Sequence, residues 1–523
     1  MSQTANDIRL TPLDPTVDAF DAHAHVADLG PTHFIGIGGA GMSVLAEMLD
    51  EEGVEVRGSD RERSDKTKRL ETLGIEVRIG QRAENVAGAD TVVYSSAIKP
   101  SNPEIVAARA AGLRIVHRSD ILALLMHDRR TVTVAGAHGK TTTSSMIAHI
   151  LHEAGSGALA DPSYAIGGSI QEPGGGVGDG GHAGSGDVLV AEADESDGSF
   201  AKYRPDIAVI TNVEADHLDH YGTAEAYRHA FVGHIGHARR RVMLCGDDAG
   251  ALAVLRAVDA QVAARTVVYS THTAEELGDL NGARLVRIVA ESESAGSGTE
   301  HCTLEVPAGV FDGQDDMLRI AIGLRVPGLH NARNAAAAVL AAVDLGMEPD
   351  KAAGALSTFL GASRRFQIRS VEKGVTVVDD YAHHPTEIAA LLDAARRRYP
   401  DSRIHVLFQP HLFSRTRFFA GEFARALAKA DDVIVTGIFP ARERQEDYPD
   451  VTGAIICDQA KALTHTPQED WIRDVEDMQV AAQMIALRAH HGDVIITVGA
   501  GDITAMVPVV LHALEAHRDT CEA

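Results

Sequence analysis

The sequence predicts an α/β protein of three consecutive domains. Two apolar strands, Phe34 to Ile37 and Thr131 to Val134, each run into a glycine-rich turn and then a helix, Met42 to Leu49 and Thr141 to Leu151. Further on, four strands alternate with helical stretches and end in polar tips: Val375 to Val378, Arg403 to Phe408, Val433 to Thr436 and Val494 to Val498. Such alternation builds parallel, doubly wound sheets whose ligands collect at the carboxyl ends of the strands. A chain of 523 residues suits about three domains at ~150 residues each. These are an N-terminal Rossmann-like domain, a central P-loop ATPase-like α/β domain and a C-terminal Rossmann-like doubly wound sheet.

Hydrophobic residues make up 45 % and charged residues 23 %, the balance of a globular chain with a large core. Lysine and arginine number 48 against 74 acidic residues, a formal charge of −26. No basic field exists to gather nucleic acid, which does not exclude a local phosphate site. Cys245, Cys302, Cys457 and Cys521 lack metal-ligand spacing and read as reduced thiols. No apolar run approaches the ~20 residues of a membrane span, and the acidic N-terminus lacks a signal-peptide core. A cytoplasmic protein is expected.

Residues 1–31 are polar and read as a flexible extension. Its His23 and His25 pair suits a metal less well than it suits a solvated tail. Residues 32–129 form the first domain. Gly36, Gly38 and Gly41 satisfy G-x-G-x-x-G, and Asp60 follows Gly38 by 22 residues, past the strand Val54 to Arg57. Taken alone, that spacing suggests an NAD enzyme. The physical warrant is only a helix N-terminus and a close backbone approach, which serve other diphosphates equally. Ser96, just beyond the strand Thr91 to Tyr94, either meets a ligand or caps a turn.

Residues 130–361 form the central domain. Gly136-Ala-His-Gly-Lys-Thr-Thr-Thr143 is a shortened phosphate loop whose missing first glycine falls at Val134. Its backbone N–H groups, helix N-terminus and Lys140 are suited to phosphates, and Thr141 to a phosphate-bound Mg²⁺. An ordinary turn with an exposed lysine is the bland alternative, disfavoured by the preceding strand and the three threonines. The strand Asp187 to Ala191 delivers Glu192-Ala-Asp-Glu-Ser-Asp197, where a Mg²⁺-binding carboxylate belongs. His217 lies 25 residues after Glu192, past the strand Ile207 to Thr211, so the two can converge on one metal. The glycine-dense insert 167–186 reads as a flexible surface loop, and Ser292 to Gly298 as a low-complexity one. Asn331 and Asn334 lie one turn apart before the helix Ala335 to Leu345, placed to read an adenine edge or simply to cap.

Residues 362–515 form the third domain and 516–523 a tail. Its tips carry Asp379-Asp-Tyr-Ala-His-His-Pro385 and Gln409-Pro-His-Leu-Phe-Ser-Arg-Thr-Arg417. Gly499-Ala-Gly501 looks like another tight diphosphate turn, on the weak signal of a bare G-x-G.

HFIGIGGAGMS, GAHGKTTT, EADESDGSF, TNVEADHLDHYG, PGLHNARN, SRRFQ, DDYAHHPTE and FQPHLFSRT follow one another in that order. Together they resemble the Mur ligase family over residues 32–515, and within it the members that add L-alanine to UDP-N-acetylmuramate for peptidoglycan. The resemblance implies a UDP-sugar domain, an ATP domain and an amino-acid domain, in a monomer or weak homodimer. It implies that Gly36, Gly38, Gly39, Gly41, Met42, Ser43, Ser96, Glu195 and Ser196 hold the UDP-sugar. It assigns ATP to Gly136, Ala137, His138, Gly139, Lys140, Thr141, Thr142, Asn331, Asn334, Arg365 and Asp380, and Mg²⁺ to Thr141, Glu192 and His217. Tyr381, His383, His411 and Arg415 would surround L-alanine. The implied catalytic set is Lys140, Glu192, His217, Arg365 and His383, with His383 a candidate base for the amine.

Two features depart from familiar members. Leu412 stands where many carry an arginine, leaving Arg415 and Arg417 for the alanine carboxylate. Arg228-His-Ala-Phe-Val232 lacks the lysine that sister ligases carbamylate, which agrees with the alanine-adding branch. Three rivals remain: a recycling ligase that attaches a whole tripeptide to the same sugar, an NAD oxidoreductase, and an ATPase that kept the fold without ligation. The recycling ligase reads nearer D-E-Y-D-x-A-F-F than Asp194-Glu-Ser-Asp-Gly-Ser-Phe200.

Overall fold

The computed structural model describes residues 13–21, 23–171, 177–290, 299–463 and 470–519. The start of the N-terminal extension, the middle of the glycine-dense insert, the loop from Ser292 to Gly298, Cys521 and the end of the tail lie outside the described residues. The chain divides into two compact units. One comprises Met1–Val289, Thr303–Ile322 and Arg333–Ser357; the other comprises Ala290–Cys302, Gly323–Ala332 and Thr358–Ala523.

The first unit opens with five parallel strands: β1 (Thr32–Ile35), β2 (Val56–Asp60), β3 (Glu76–Ile79), β4 (Thr91–Tyr94) and β5 (Arg114–His117), ordered β3-β2-β1-β4-β5. Phe34 joins one core cluster with Leu45 and Leu49, while its neighbour Ile35 joins another with Val86 and Ile105. Both faces of β1 are therefore covered, which is why it reads as an unbroken apolar run. The strand order reverses at β1, and that reversal opens a crevice beyond its carboxyl end. Leu29, in the single turn Val26–Leu29, is fully buried, so the last part of residues 1–31 packs into this core.

The same unit holds most of a ten-stranded sheet. Its strands are β6 (Arg130–Ala135), β7 (Ser163–Ala165), β10 (Gly181–His182), β11 (Val188–Glu192), β12 (Ile207–Ile210), β13 (Arg241–Cys245), β14 (Thr266–Ser270), β15 (Arg284–Ala290), β16 (Glu300–Val306) and β17 (Leu318–Leu324). A separate two-stranded ribbon pairs β8 (Ile170–Gln171) with β9 (Val177–Gly178). β6 lies between β11 and β12, with Val134 beside Glu192 and Ala135 beside Ile210. That register brings the chain after Ala135, the acidic turn after Glu192 and Thr211–Asn212 out side by side. The described part of the glycine-dense insert is built into the fold. β10 pairs with β7, and Gly181 packs so closely on Val44 that a Cβ would collide with it.

The second unit holds six strands: β18 (Gln367–Glu372), β19 (Val375–Asp380), β20 (Ile404–Phe408), β21 (Asp432–Val435), β22 (Ile472–Asp474) and β23 (Val494–Val498). They are ordered β18-β19-β23-β20-β21-β22, and only the β18–β19 pair is antiparallel. The four apolar strands expected from sequence form the middle. The two added edges are polar: β18 exposes Ile368 and Val371, and β22 has only three residues. Asp380 and Phe408 both pair with Val498, so the tips of β19, β20 and β23 end level. Among the described residues, no helix is long and apolar enough to cross a membrane.

Candidate active site

β6 hands the chain to the helix Lys140–Ala154 through a turn that only glycine permits at two places. At Gly136 (φ +142°) a Cβ would sit 2.2 Å from Thr211 Oγ1; at Gly139 (φ +83°) it would sit 2.9 Å from Asn334 Oδ1. β12 grips the turn from the side. Asn212 accepts from the His138 N–H at 3.0 Å and donates to the His138 carbonyl at 2.8 Å, while Thr211 Oγ1 donates to the same carbonyl at 2.6 Å. Asn212 is a site residue that sequence reasoning missed. A lone amide after a strand carries no spacing signal.

Lys140 curls back over the loop. Its Nζ donates to the Gly136 carbonyl at 2.6 Å and meets Glu195 at 2.9 Å. Burial opposes the charged ammonium, but Glu195, Asp194 and Glu192 outweigh it and raise the lysine above its usual value. Burial raises Glu195 against the pull of Lys140. His217, in left-handed backbone (φ +52°), brings Nε2 to 3.7 Å from Glu195. The sequence placed Glu195 with the UDP-sugar residues; its fully buried carboxylate instead lies on Lys140 in the phosphate loop. Ser196 donates its N–H to Asp194 at 3.1 Å in a local turn.

Thr141 Oγ1 donates to Glu192 Oε2 at 2.9 Å, and the Gly167 N–H donates to the same oxygen at 2.9 Å. Two of the residues expected at Mg²⁺ are therefore already together. Their oxygens are the hard donors that Mg²⁺ takes alongside phosphate, so the donor set fits that ion. Thr142 is buried in the first turn of the helix.

A second cleft, of about 690 Å³, opens at the switch point of the first sheet. Gly36, Gly38, Gly39 and Met42 line one side, and Asp60 to Ser64, with Ser95 and Ala97 to Lys99, line the others. Arg61, Arg63 and Lys99 supply the positive charge that a diphosphate needs. Asp60 Oδ2 accepts the Gly38 N–H at 2.8 Å, so the acid that suggested an NAD ribose holds the glycine turn itself. Gly41 lies beside the Arg118 guanidinium, and Ser43 is buried within its helix. Ser96 does not line the cleft: its hydroxyl donates to Asp197 at 2.5 Å and lies 3.1 Å from His117 Nε2, tying β4 to the acidic turn. Burial lowers the His117 imidazole to about 4, keeping it neutral.

In the second unit, Asp380 accepts from the Phe366 N–H at 2.6 Å and the Ala382 N–H at 2.8 Å. Burial pushes its carboxyl up to about 6, against the pull of Arg365 and those N–H groups. Arg365 lies 3.5 Å from Glu387 and over the Tyr381 ring. Glu387, also missed from sequence, accepts the His383 N–H at 2.9 Å at the start of the helix Pro385–Arg398. A Glu three residues past a cap is a readable capping signal. His383 lies edge-on to His411 at 5.7 Å and to Tyr381 at 5.6 Å, so the residues expected around L-alanine cluster. Burial lowers His383 to about 4, Glu387 opposing and Arg415 adding to the effect. Leu412 is buried, at φ +68°. Asn331 donates to the Pro327 carbonyl at 2.7 Å near the start of the helix Leu329–Asp344. Gly499-Ala-Gly501 is no anion turn: Arg364 donates to the carbonyls of both glycines, and Gln409 donates to Asp502 at 2.7 Å beside it.

Comparison with known proteins covers the whole length. Residues 31–130 match the profile of the Mur ligase family catalytic domain, 134–342 the Mur ligase middle domain and 364–501 the Mur ligase glutamate ligase domain. The UDP-N-acetylmuramate–L-alanine ligase of Bifidobacterium adolescentis is 70 % identical over 522 residues, 100 % of each chain. That of Renibacterium salmoninarum is 46 % identical over 93 % of this chain and 96 % of its own. The crystal structure of UDP-N-acetylmuramate-alanine ligase from Thermotoga maritima matches with a TM-score of 0.68 at 30 % identity, covering 94 % of this chain and 99 % of its own.

Proposed function

The chain belongs to the Mur ligase family, and from that premise we propose that it joins L-alanine to the lactyl carboxylate of UDP-N-acetylmuramate. ATP drives the reaction, giving ADP and phosphate through an acyl phosphate. A carboxylate oxygen attacks the γ-phosphorus and ADP leaves. The alanine amine then attacks the acyl carbonyl, loses a proton, and phosphate leaves. The observation that carries this reading is the phosphate loop with its largely buried Lys140, flanked by the Thr141–Glu192 contact.

The physical obstacle is the meeting of two anions. Lys140 supplies fixed positive charge where negative charge develops. Thr141, Glu192 and His217 would hold Mg²⁺, which when bound neutralises phosphate oxygens. Residues 32–129 present the UDP-sugar in the cleft beside Gly36 to Met42, 130–361 bind ATP and 362–515 receive the amino acid. Asn331, Asn334, Arg365 and Asp380 serve ATP; Tyr381, His383, His411 and Arg415 serve L-alanine. His383 is neutral at pH 7 and free to accept a proton, but its low value makes it a weak base. An alanine carboxylate beside Arg415 would offset that cation and strengthen it. The reading places a monomer or weak homodimer in the cytoplasm.

The test is phosphate release from Mg-ATP and UDP-N-acetylmuramate with L-alanine, L-serine, glycine or the tripeptide. Release that requires both the sugar nucleotide and L-alanine is expected. Release without them would indicate a plain ATPase, and preference for the tripeptide a recycling ligase.

A further inference from the structure

The tip of β13 carries two adjacent carboxylates, Asp247 and Asp248, that no assigned role uses. Each faces a different neighbour, and both lines of contact end at the phosphate loop. Asp248 accepts the Val213 N–H at 2.8 Å and the Ala251 N–H at 2.7 Å, capping the helix Ala249–Ala257. Val213 follows Asn212, whose side chain clasps His138 at both its N–H and its carbonyl.

Asp247 works on the other side. Arg333 Nε donates to its Oδ2 at 2.5 Å, and Thr271 donates to it from its N–H at 2.9 Å and its hydroxyl at 2.6 Å. Ser270 donates to the same carboxylate. Asp247 is thus held by Ser270 and Thr271 at the tip of β14 and almost wholly buried, while Arg333 is the more exposed partner. Arg333 immediately precedes Asn334, whose Oδ1 abuts Gly139 so closely that a Cβ there would come within 2.9 Å.

We propose that Asp247 and Arg333 form a positioning pair that seats Asn334 against Gly139 and so sets the affinity of the loop for nucleoside triphosphate. The inference rests on the ATP reading of the phosphate loop above. Neither residue touches the loop, and neither is placed at the sugar or the amino acid. A charge-assisted, largely desolvated contact of this kind resists replacement by an apolar side chain and tolerates another cation better. Truncating Arg333 frees the first turns of the helix and shifts Asn334, which weakens nucleotide binding without altering the groups that act on bound phosphate.

The experiment uses the full chain and the variants Arg333→Leu, Arg333→Lys, Asp247→Asn and Lys140→Ala. ATP binding is measured alone by equilibrium dialysis, followed by KM for each substrate, kcat and melting temperature. Arg333→Leu and Asp247→Asn should each raise the KM and Kd for ATP about tenfold, with kcat and the other two KM values changed less than about twofold. Arg333→Lys should recover most of that loss. A fall spread evenly over kcat and all three KM values, in step with a lowered melting temperature, would make the pair merely structural and overturn the proposal. Unchanged ATP binding in Arg333→Leu would also overturn it, provided that Lys140→Ala loses ATP. If Lys140→Ala binds ATP normally as well, the ATP reading of the loop itself fails.

Discussion

The molecule contains the same device twice, and the two copies have diverged in what surrounds them. In each, an apolar strand feeds a glycine turn that opens a helix beside a neighbouring strand tip. The turn after β1 faces an open cleft of about 690 Å³ and is steadied by one carboxylate, Asp60, on the Gly38 N–H. The turn after β6 is gripped by Asn212 and Thr211 and backed by Lys140, Glu195 and the Thr141–Glu192 contact. A glycine turn alone offers a place for phosphate. Cations stand near both turns, Arg61, Arg63 and Lys99 at the first and Lys140 at the second, but at the second the cation is bonded to the loop itself, with Glu195 and the Thr141–Glu192 contact beside it. The first is built to hold, the second to hold and activate.

That contrast is broken most severely at Lys140. Lys140→Ala should cost about 10³-fold in kcat, the scale of losing a principal electrostatic stabiliser, while circular dichroism and melting temperature show an intact fold. Near-normal turnover would place the chemistry elsewhere. At the first turn the effect should be smaller and of a different kind. Asp60→Ala removes the acceptor of the Gly38 N–H, and of the Arg61 and Glu62 N–H groups beside it, and should raise the KM for UDP-N-acetylmuramate about tenfold with little change in kcat. A kcat defect there would erase the distinction between the two turns.

The smallest effect concerns the frame that carries both turns. His117, beside Ser96, and His234, against Thr133 of β6, are buried and lowered to about 4. An unfolded histidine takes its proton near 6.5, so between about pH 6.5 and 4 the unfolded chain binds more protons. Their contribution is whole above pH 6.5, declines as pH falls and is lost below about 4. Each should account for about 3 kcal/mol, read as a fall in the urea midpoint across that window. The fall should shrink in His117→Asn and in His234→Asn; an unchanged pH profile in both variants would mean that neither imidazole is buried neutral.

The sequence revealed the strands and their tips because β1, β6, β19 and β23 are covered on both faces and stand out as apolar runs. The edges were illegible for the opposite reason: β18 alternates polar with exposed apolar residues, and β22 is too short to show a period. Side-chain partnerships were harder still. Asn212 and His138 lie 74 positions apart, and Arg333 and Asp247 lie 86 apart, so no local spacing announces them. Ser96 and Glu195 were read with the sugar because they sit in strand-tip motifs. The Ser96–Asp197 bond depends on how the two sheets of the first unit meet, and the Glu195–Lys140 bond on the pairing of β11 with β6. Gly499-Ala-Gly501 misled because a G-x-G reads the same whether its N–H groups or its carbonyls face outward, and here Arg364 takes the carbonyls.

The central claim is that the second turn presents a γ-phosphate to a sugar carboxylate. Its most direct test is isotope transfer. UDP-N-acetylmuramate labelled with ¹⁸O in the lactyl carboxylate is turned over with unlabelled ATP and L-alanine, and the inorganic phosphate is analysed by mass spectrometry. An acyl phosphate requires one carboxylate oxygen to leave with phosphate, so each phosphate formed from fully labelled substrate should carry one ¹⁸O. Unlabelled phosphate accompanying normal amide formation would contradict the account.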